Sequence, residues 1–371
     1  MRIIIIGAGI SGMVSAILLS RYGFEVKLIE KRVFPFHRVC GEYVSNEVLP
    51  FLNSLGVNFH TLNPPQIEKL TLNTVSGKTF TASLGLGGFG LSRYSFDYLL
   101  YKKALAAGVN ITEGIKVSEV NFTENQFSVT LADQSTFTAG LVICAYGKRS
   151  NLDQKLQRKF FYQRSPFLGV KYHIKTDFPD NIIQLNYFEG GYCGMSKIEE
   201  DKYCLCYLSE NQHLKKLGSI KALEEEVLYK NSFLKYRFQN SDFLFKKPEV
   251  INEISFEQKS LVKNHLLFCG DAAGMITPLC GNGMAMAARS ALLLSETINQ
   301  FREFHQPGVR LQLEQNYEKR WKKQFSFQLR TGRTLQKFMM NRAAADVAVG
   351  FLNKVPAASK FIISLTHGKP F

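Results

Sequence analysis

The chain has 371 residues, 45% of them hydrophobic and 21% charged, which suits a globular protein with one large domain and a smaller companion. No run approaches the roughly 20 consecutive apolar residues of a membrane span, and the apolar start is too short and too soon followed by glycines for a signal peptide, so a cytoplasmic location is expected. The net charge of +15 comes with no nucleic-acid motif, and the seven cysteines show no zinc or CxxC spacing, so they read as reduced thiols without a metal site.

Residues 2–6 form a β-branched run, a glycine turn follows, residues 10–22 read as an apolar helix, and residues 24–30 read as a second strand; together they predict a βαβ unit. After a loop rich in Phe, Pro and His, Ser45 is placed to cap a short helix that Gly56 stops. Residues 67–83 alternate around Ser76-Gly77 and predict a hairpin, and residues 95–107 predict a helix ended by Gly108. A three-stranded meander is expected over 110–139, with turns near Glu124-Asn125 and Asp133-Gln134, and then a buried strand over 141–145. Long aromatic strands from 167 to 209 predict a separate sheet platform, followed by a basic helix over 219–231 and a strand over 250–256. The buried-strand pattern returns at Leu266, and the chain from Gly281 onward reads as helical.

Without repeats or low-complexity linkers, the domains are expected to interleave. The expected fold is α/β: a discontinuous Rossmann-like nucleotide domain over 1–66, 93–160 and 255–305, an antiparallel-sheet substrate domain over 67–92 and 161–254, and a helical C-terminal region over 306–371.

Gly7-Ala8-Gly9-Ile10-Ser11-Gly12 lies between the first strand and the first helix, and Glu30 ends the next strand. Gly7 permits the tight turn, Gly9 lets a pyrophosphate approach the backbone, and Gly12 lets helix and strand pack closely. Ile10 and Ser11 open the helix whose free N–H groups face the phosphates, and Glu30, with Lys31 beside it, suits a ribose carrying free hydroxyls. That predicts FAD or NAD. Near the other end, Asp271 stands at a strand end, and Gly281, Gly283 and Met284 stand at a helix start. A carboxylate for ribityl hydroxyls and N–H groups for the electron-rich edge of a reduced flavin make FAD the expected cofactor. Cys280, beside these glycines, either faces the ring or fills space.

On these motifs the chain resembles the large group of FAD enzymes that contains aromatic-ring monooxygenases, flavin halogenases and geranylgeranyl reductases. The resemblance extends to Leu91-Ser-Arg-Tyr-Ser-Phe-Asp-Tyr-Leu-Leu, and it implies that Arg93 approaches FAD and that the backbone of Val117 meets adenine. Where hydroxylases of the group carry an Asp-Gly pair, this chain has Tyr146-Gly147; Gly147 still serves the turn, and no second GxGxxG is present to bind NADH or NADPH separately. Pro35-Phe-His-Arg-Val-Cys-Gly41 is similar to the cysteine segment of the geranylgeranyl-reductase branch, which implies that Cys40 lies near flavin and substrate. Arg38 is then placed with the cofactor and near the Cys40 thiol, whose pKa it would lower. The branch's aromatic cavity strand has its counterpart in residues 191–197, which makes Tyr192 a further catalytic candidate but lacks the branch's Trp and Pro. His37 and His173 read as lone histidines, structural or exposed.

The reading favours an NAD(P)H-linked hydroxylase of a hydrophobic or aromatic small molecule, with NADH or NADPH as a transient reductant. The alternatives are a reductase or dehydrogenase of an isoprenoid lipid and a flavoprotein electron-transfer partner docked on a membrane. From Arg310 to Arg342, nine Lys or Arg stand against Glu314 and Glu318, which is a solvated helical face, a surface for peripheral membrane contact or a surface for an acidic partner.

Overall fold

The computed structural model describes residues 1–163, 166–366 and 368–371. Four consecutive isoleucines fill the strand Arg2–Ile6, where Ile3, Ile4, Ile5 and Ile6 are all buried, as a parallel strand covered on both faces requires. Around it, among the described residues, lies a six-stranded sheet in the order Val262–Lys263, Leu266–Phe268, Leu141–Cys144, Arg2–Ile6, Glu25–Ile29, Asn110–Thr112. All its pairings are parallel except the edge hairpin formed by the first two. Helix Ile10–Arg21 packs against helices Gly283–Gln300 and Arg93–Ala106, so both glycine segments are brought to one end of the sheet.

Three local expectations are corrected. Asn110–Thr112 leaves the meander and joins the parallel sheet, because helix Arg93–Ala106 delivers it to the free edge of Glu25–Ile29. The meander proper is Val117–Thr123, Gln126–Leu131 and Thr136–Ala139. The helix expected from Ser95 starts at Arg93, since the Ser92 hydroxyl accepts from the Ser95 N–H at 3.1 Å and caps it. The basic helix expected over 219–231 is instead Ile220–Glu226 with Glu224, Glu225 and Glu226 against Lys221, followed by a 3-10 turn at Leu228–Lys230. Gly218, at φ +77°, ends the preceding helix Asn211–Leu217, and Asn231 caps Ser232–Gln239.

The second sheet is nine-stranded and runs in the order Asp242–Phe243, Phe167–Lys175, Lys202–Glu210, Gly191–Ile198, Ile182–Phe188, Gln66–Asn73, Thr79–Gly90, Tyr43–Ser45, with Glu249–Ile254 also pairing Phe167–Lys175. It departs from a purely antiparallel sheet at one place: Ile182–Phe188 runs parallel to Gln66–Asn73. Those strands belong to different passes of the chain, so no hairpin joins them.

Period-two alternation divides its side chains between two layers. Val170, Tyr172, Ile174, Leu205 and Tyr207 pack under the short helices through Leu223, Leu234 and Phe238. On the opposite face Leu72, Phe80, Leu185, Tyr187, Tyr192 and Leu208 meet Met339, Val349 and Leu352 of helices Val309–Met339 and Arg342–Lys354. No helix among the described residues is long and apolar enough to cross a membrane.

The first turn separates two roles of glycine. A Cβ on Gly12 would lie 1.9 Å from the Gly7 carbonyl oxygen, whereas one on Gly9 meets nothing within 4 Å. Gly12→Ala is therefore expected to lose about 3 kcal/mol of stability or fail to fold, and Gly9→Ala to melt like the parent when both are cofactor-free. Thermal melts of the two variants check this; equal melting temperatures would refute it.

Candidate active site

The carboxyl edge of the parallel sheet is where an open α/β fold binds its ligand. Gly7 turns there at φ +100°, with a would-be Cβ 2.5 Å from Tyr146 Cα, so the two turns touch. Gly147, at φ +87°, has open space where its Cβ would be, as has Gly9. Glu30 is buried, and its carboxylate accepts from the N–H of Ala8 at 2.9 Å and of Arg32 at 3.1 Å, which fixes it beside the glycine turn. Ile10 and Ser11 are buried in the first turn of the helix, and Lys31 is exposed beside Glu30. The carbonyl of Val117 accepts from Asn151 Nδ2 at 3.4 Å.

The second glycine segment meets the first. A Cβ on Gly270 would stand 2.4 Å from Ser11 Oγ. Asp271 follows, and among the described residues its carboxylate accepts no hydrogen bond; burial pushes its pKa up, against Lys259, Arg93 and Lys148. Gly281 turns at φ +64°, and helix Gly283–Gln300, with Met284 buried at its start, has no side-chain cap. Open space at Gly9 and Gly147, an unpartnered carboxylate and an uncapped helix N-terminus on one edge fit the diphosphate, ribityl chain and ring edge of FAD.

The sequence reading missed the most enclosed charges of the molecule. Glu42 adopts φ +56° immediately after Cys40-Gly41, and its side chain is wholly buried. Oε1 accepts from Lys171 Nζ at 2.7 Å and from the Arg93 N–H at 2.8 Å, and Oε2 pairs with His173 Nε2 at 2.6 Å. Its carbonyl accepts from the Leu91 N–H at 3.0 Å, and its own N–H points at Cys40 Sγ, 3.5 Å away. Burial opposes the charge, yet Lys171 and His173 pull the Glu42 pKa down to about 2. His173 is thus neither lone nor exposed, and the His37 ring meets it edge-on at 5.2 Å. Glu42, His173 and Cys204 bring ligand atoms within 4.8 Å of one another. The Lys171 ammonium on the same carboxylate makes these residues part of an ion-pair network.

The expected influence of Arg38 on the Cys40 thiol is also corrected. Arg38 is taken by Asp97 at 3.0 Å and Glu30 at 3.4 Å. Burial raises the Cys40 pKa, and Arg93 is the leading cation opposing it. Arg93 itself forms a bidentate pair with Asp97, both bonds 2.7 Å. Nothing meets a would-be Cβ on Gly41, so the loop presents an open face beside the thiol.

Tyr146, which stands where hydroxylases carry an acid, donates to Asp153 at 2.6 Å, and Arg158 clamps Asp153 at 2.8 Å and the Ala272 carbonyl at 2.9 Å. Cys280 is buried with its sulfur 3.3 Å from Thr277 Oγ1 and close-packed on Gly332. Tyr192 is buried in the sheet layer, and among the described residues its hydroxyl has no hydrogen-bond partner.

Removing one partner from the Glu42 network strands a buried charge. Glu42→Gln is expected to cost about 3–5 kcal/mol in denaturant unfolding, with much of that recovered by adding Lys171→Met. Because the folded pKa of about 2 lies below the ordinary 4.5, the stabilisation is complete above pH 4.5 and is lost as pH falls toward 2. A Glu42→Gln protein as stable as the parent would overturn the assignment.

Comparison with known proteins gives the family. The pattern described as FAD binding domain matches residues 1–303. The chain is 24% identical to digeranylgeranylglycerophospholipid reductase of Methanococcus vannielii, over 86% of this chain and 82% of that protein. It is 25% identical to tryptophan 2-halogenase of Chondromyces crocatus over 80% of this chain, and it spans only 60% of the halogenase. A solved flavoprotein/dehydrogenase from Cytophaga hutchinsonii, 18% identical, has the same fold, with a TM-score of 0.83 over 99% of this chain and 92% of that one. Matched over most of its length, the chain belongs to the FAD binding domain family and is an FAD-dependent oxidoreductase.

Proposed function

We propose that this enzyme saturates a carbon–carbon double bond in a hydrophobic small molecule, with Cys40 as proton donor. The observation that carries the reading is the Cys40 thiol, kept protonated by burial and set beside the open face of Gly41. FAD, when held in this site, would supply the hydride for one carbon, with NADH or NADPH as the source of its electrons. The thiol gives its proton to the other carbon, and the resulting thiolate is stabilised by Arg93 and Lys171 until it takes a proton from solvent. Glu42 keeps the loop in place. The long match to a lipid reductase supports the same reading.

Gly9 and the first turn of helix Ile10–Arg21 would take the diphosphate, Glu30 the adenosine ribose, Asp271 the ribityl hydroxyls, and the N–H groups of Gly283 and Met284 the ring edge. Hydroxylation is the second reading, in keeping with the solved structures of this fold. It is weakened by Tyr146, whose hydroxyl is committed to Asp153 where an acid is expected.

We further propose peripheral contact with anionic membranes. Helix Arg342–Lys354 roofs the apolar layer with Ala345, Val349 and Leu352 and exposes Val347 and Phe351 on its outer side, between Arg342 and Lys354.

With a panel of polyprenyl and phenolic compounds, the chemically reduced enzyme is expected to add two hydrogens to its substrate without oxygen. A product that gains an oxygen atom, and forms only in air, would replace this reading with hydroxylation. Cys40→Ala is expected to slow the chemical step by roughly 10²–10⁴-fold while the protein keeps its FAD. The enzyme is also expected to sediment with anionic phosphatidylglycerol vesicles, less so in high salt and in Phe351→Glu; binding unaffected by either would remove the membrane contact.

A further inference from the structure

Lys259 lies between the strands Glu249–Ile254 and Val262–Lys263 and is only 6% exposed. Its ammonium donates to the backbone carbonyls of Lys148 and Asp271, each at 2.7 Å, and stands 4.5 Å from the centre of the Phe160 ring. The charged groups facing it are Asp271, Arg158, Asp153 and Lys148. Among the described residues none of the carboxylates forms an ion pair with it, and Asp153 is held by Arg158 at 2.8 Å. An enclosed positive charge held by two carbonyl dipoles, with Asp271 and Asp153 near but in no ion pair with it, is costly to the free protein.

The position of that charge gives it a use. The two carbonyls belong to the turns after Leu141–Cys144 and Leu266–Phe268, neighbouring parallel strands, and the first of these turns has open space at Gly147. A dinucleotide's diphosphate crosses an open α/β sheet at this edge.

We infer that Lys259 is the counter-charge for the diphosphate of FAD, a positioning residue that also clamps both turns beneath the cofactor. The inference rests on the placement of FAD along Gly9, Gly147 and Asp271.

Charge and clamp can be separated by pH. Burial pushes the Lys259 pKa down to about 8, and it does the same to Lys148, which faces Glu253, Arg149 and Asp271. A neutral lysine amine keeps two N–H groups and can still hold both carbonyls, so deprotonation removes the charge and leaves the clamp. A bound diphosphate favours the ammonium and raises its pKa, so FAD affinity is complete below pH 8 and falls as pH rises above it.

The test is the dissociation constant of FAD from the full-length chain, followed by the fluorescence gained on release. In Lys148→Gln, which removes the second titrating lysine, the constant is expected to rise roughly tenfold between pH 7 and pH 9. Adding Lys259→Arg, which stays charged, should flatten that rise, and adding Lys259→Met should weaken binding at pH 7 and leave no pH dependence. Equal pH slopes with Lys259 and with Arg in its place, or full affinity at pH 7 in Lys259→Met, would overturn the inference. If Lys259→Met does not fold, the comparison between lysine and arginine decides alone. Asp271→Asn separates this inference from the placement beneath it: unchanged FAD affinity there removes the placement. Lost affinity there, with Lys259→Met binding normally, removes only the role of Lys259.

Discussion

A carboxylate with no exposure, held by an ammonium, an imidazole and a backbone N–H, survives only where all its partners are delivered together. Glu42 is such a group, and its partners come from different parts of the fold. Lys171 and His173 project from one face of Phe167–Lys175, next to one edge of the large sheet, while Arg93 opens a helix that packs on the nucleotide-side helix Ile10–Arg21. The loop that carries Cys40 and Gly41 is thereby fixed against both sheets at once. Its geometry depends less on its own sequence than on the sheet it is tied to.

The carboxyl edge of the parallel sheet obeys a related constraint. Its turns are held by cations that reach backbone carbonyls: Lys259 takes Lys148 and Asp271, and Arg158 takes Ser260 and Ala272. Of these two clamps Arg158 has a counter-ion in Asp153, whereas Lys259 forms no ion pair among the described residues. Tyr146 belongs to the same scheme, because its hydroxyl completes the Asp153–Arg158 pair.

What the sequence makes legible here is local. The isoleucine run, the glycines from Gly7 to Gly12 and the order of Asp271 and its following glycines are signals read within a few residues, and they locate both segments that meet beside Ser11 and Gly270. The Glu42 network was out of reach because positions 42, 93, 171 and 173 carry no shared periodicity; only the fold makes them neighbours. His173 reads as isolated in the sequence for that reason. Asn110–Thr112 was misassigned because a three-residue strand has too little pattern to reveal which sheet it joins. The acidic turn at Glu224, Glu225 and Glu226 was read through the lysines that flank it.

The parallel pairing of Ile182–Phe188 with Gln66–Asn73 has a consequence for how the chain is made. On the ribosome the hairpin of Gln66–Asn73 and Thr79–Gly90 emerges early, with one edge open, and that edge closes only after a long intervening stretch has been synthesised. The helices that cover its apolar face, Val309–Met339 and Arg342–Lys354, arrive later still. The nascent chain therefore carries an unpaired strand edge until residue 188 is made and a bare hydrophobic surface until the C-terminal helices follow, and such transient exposure is what chaperones shield.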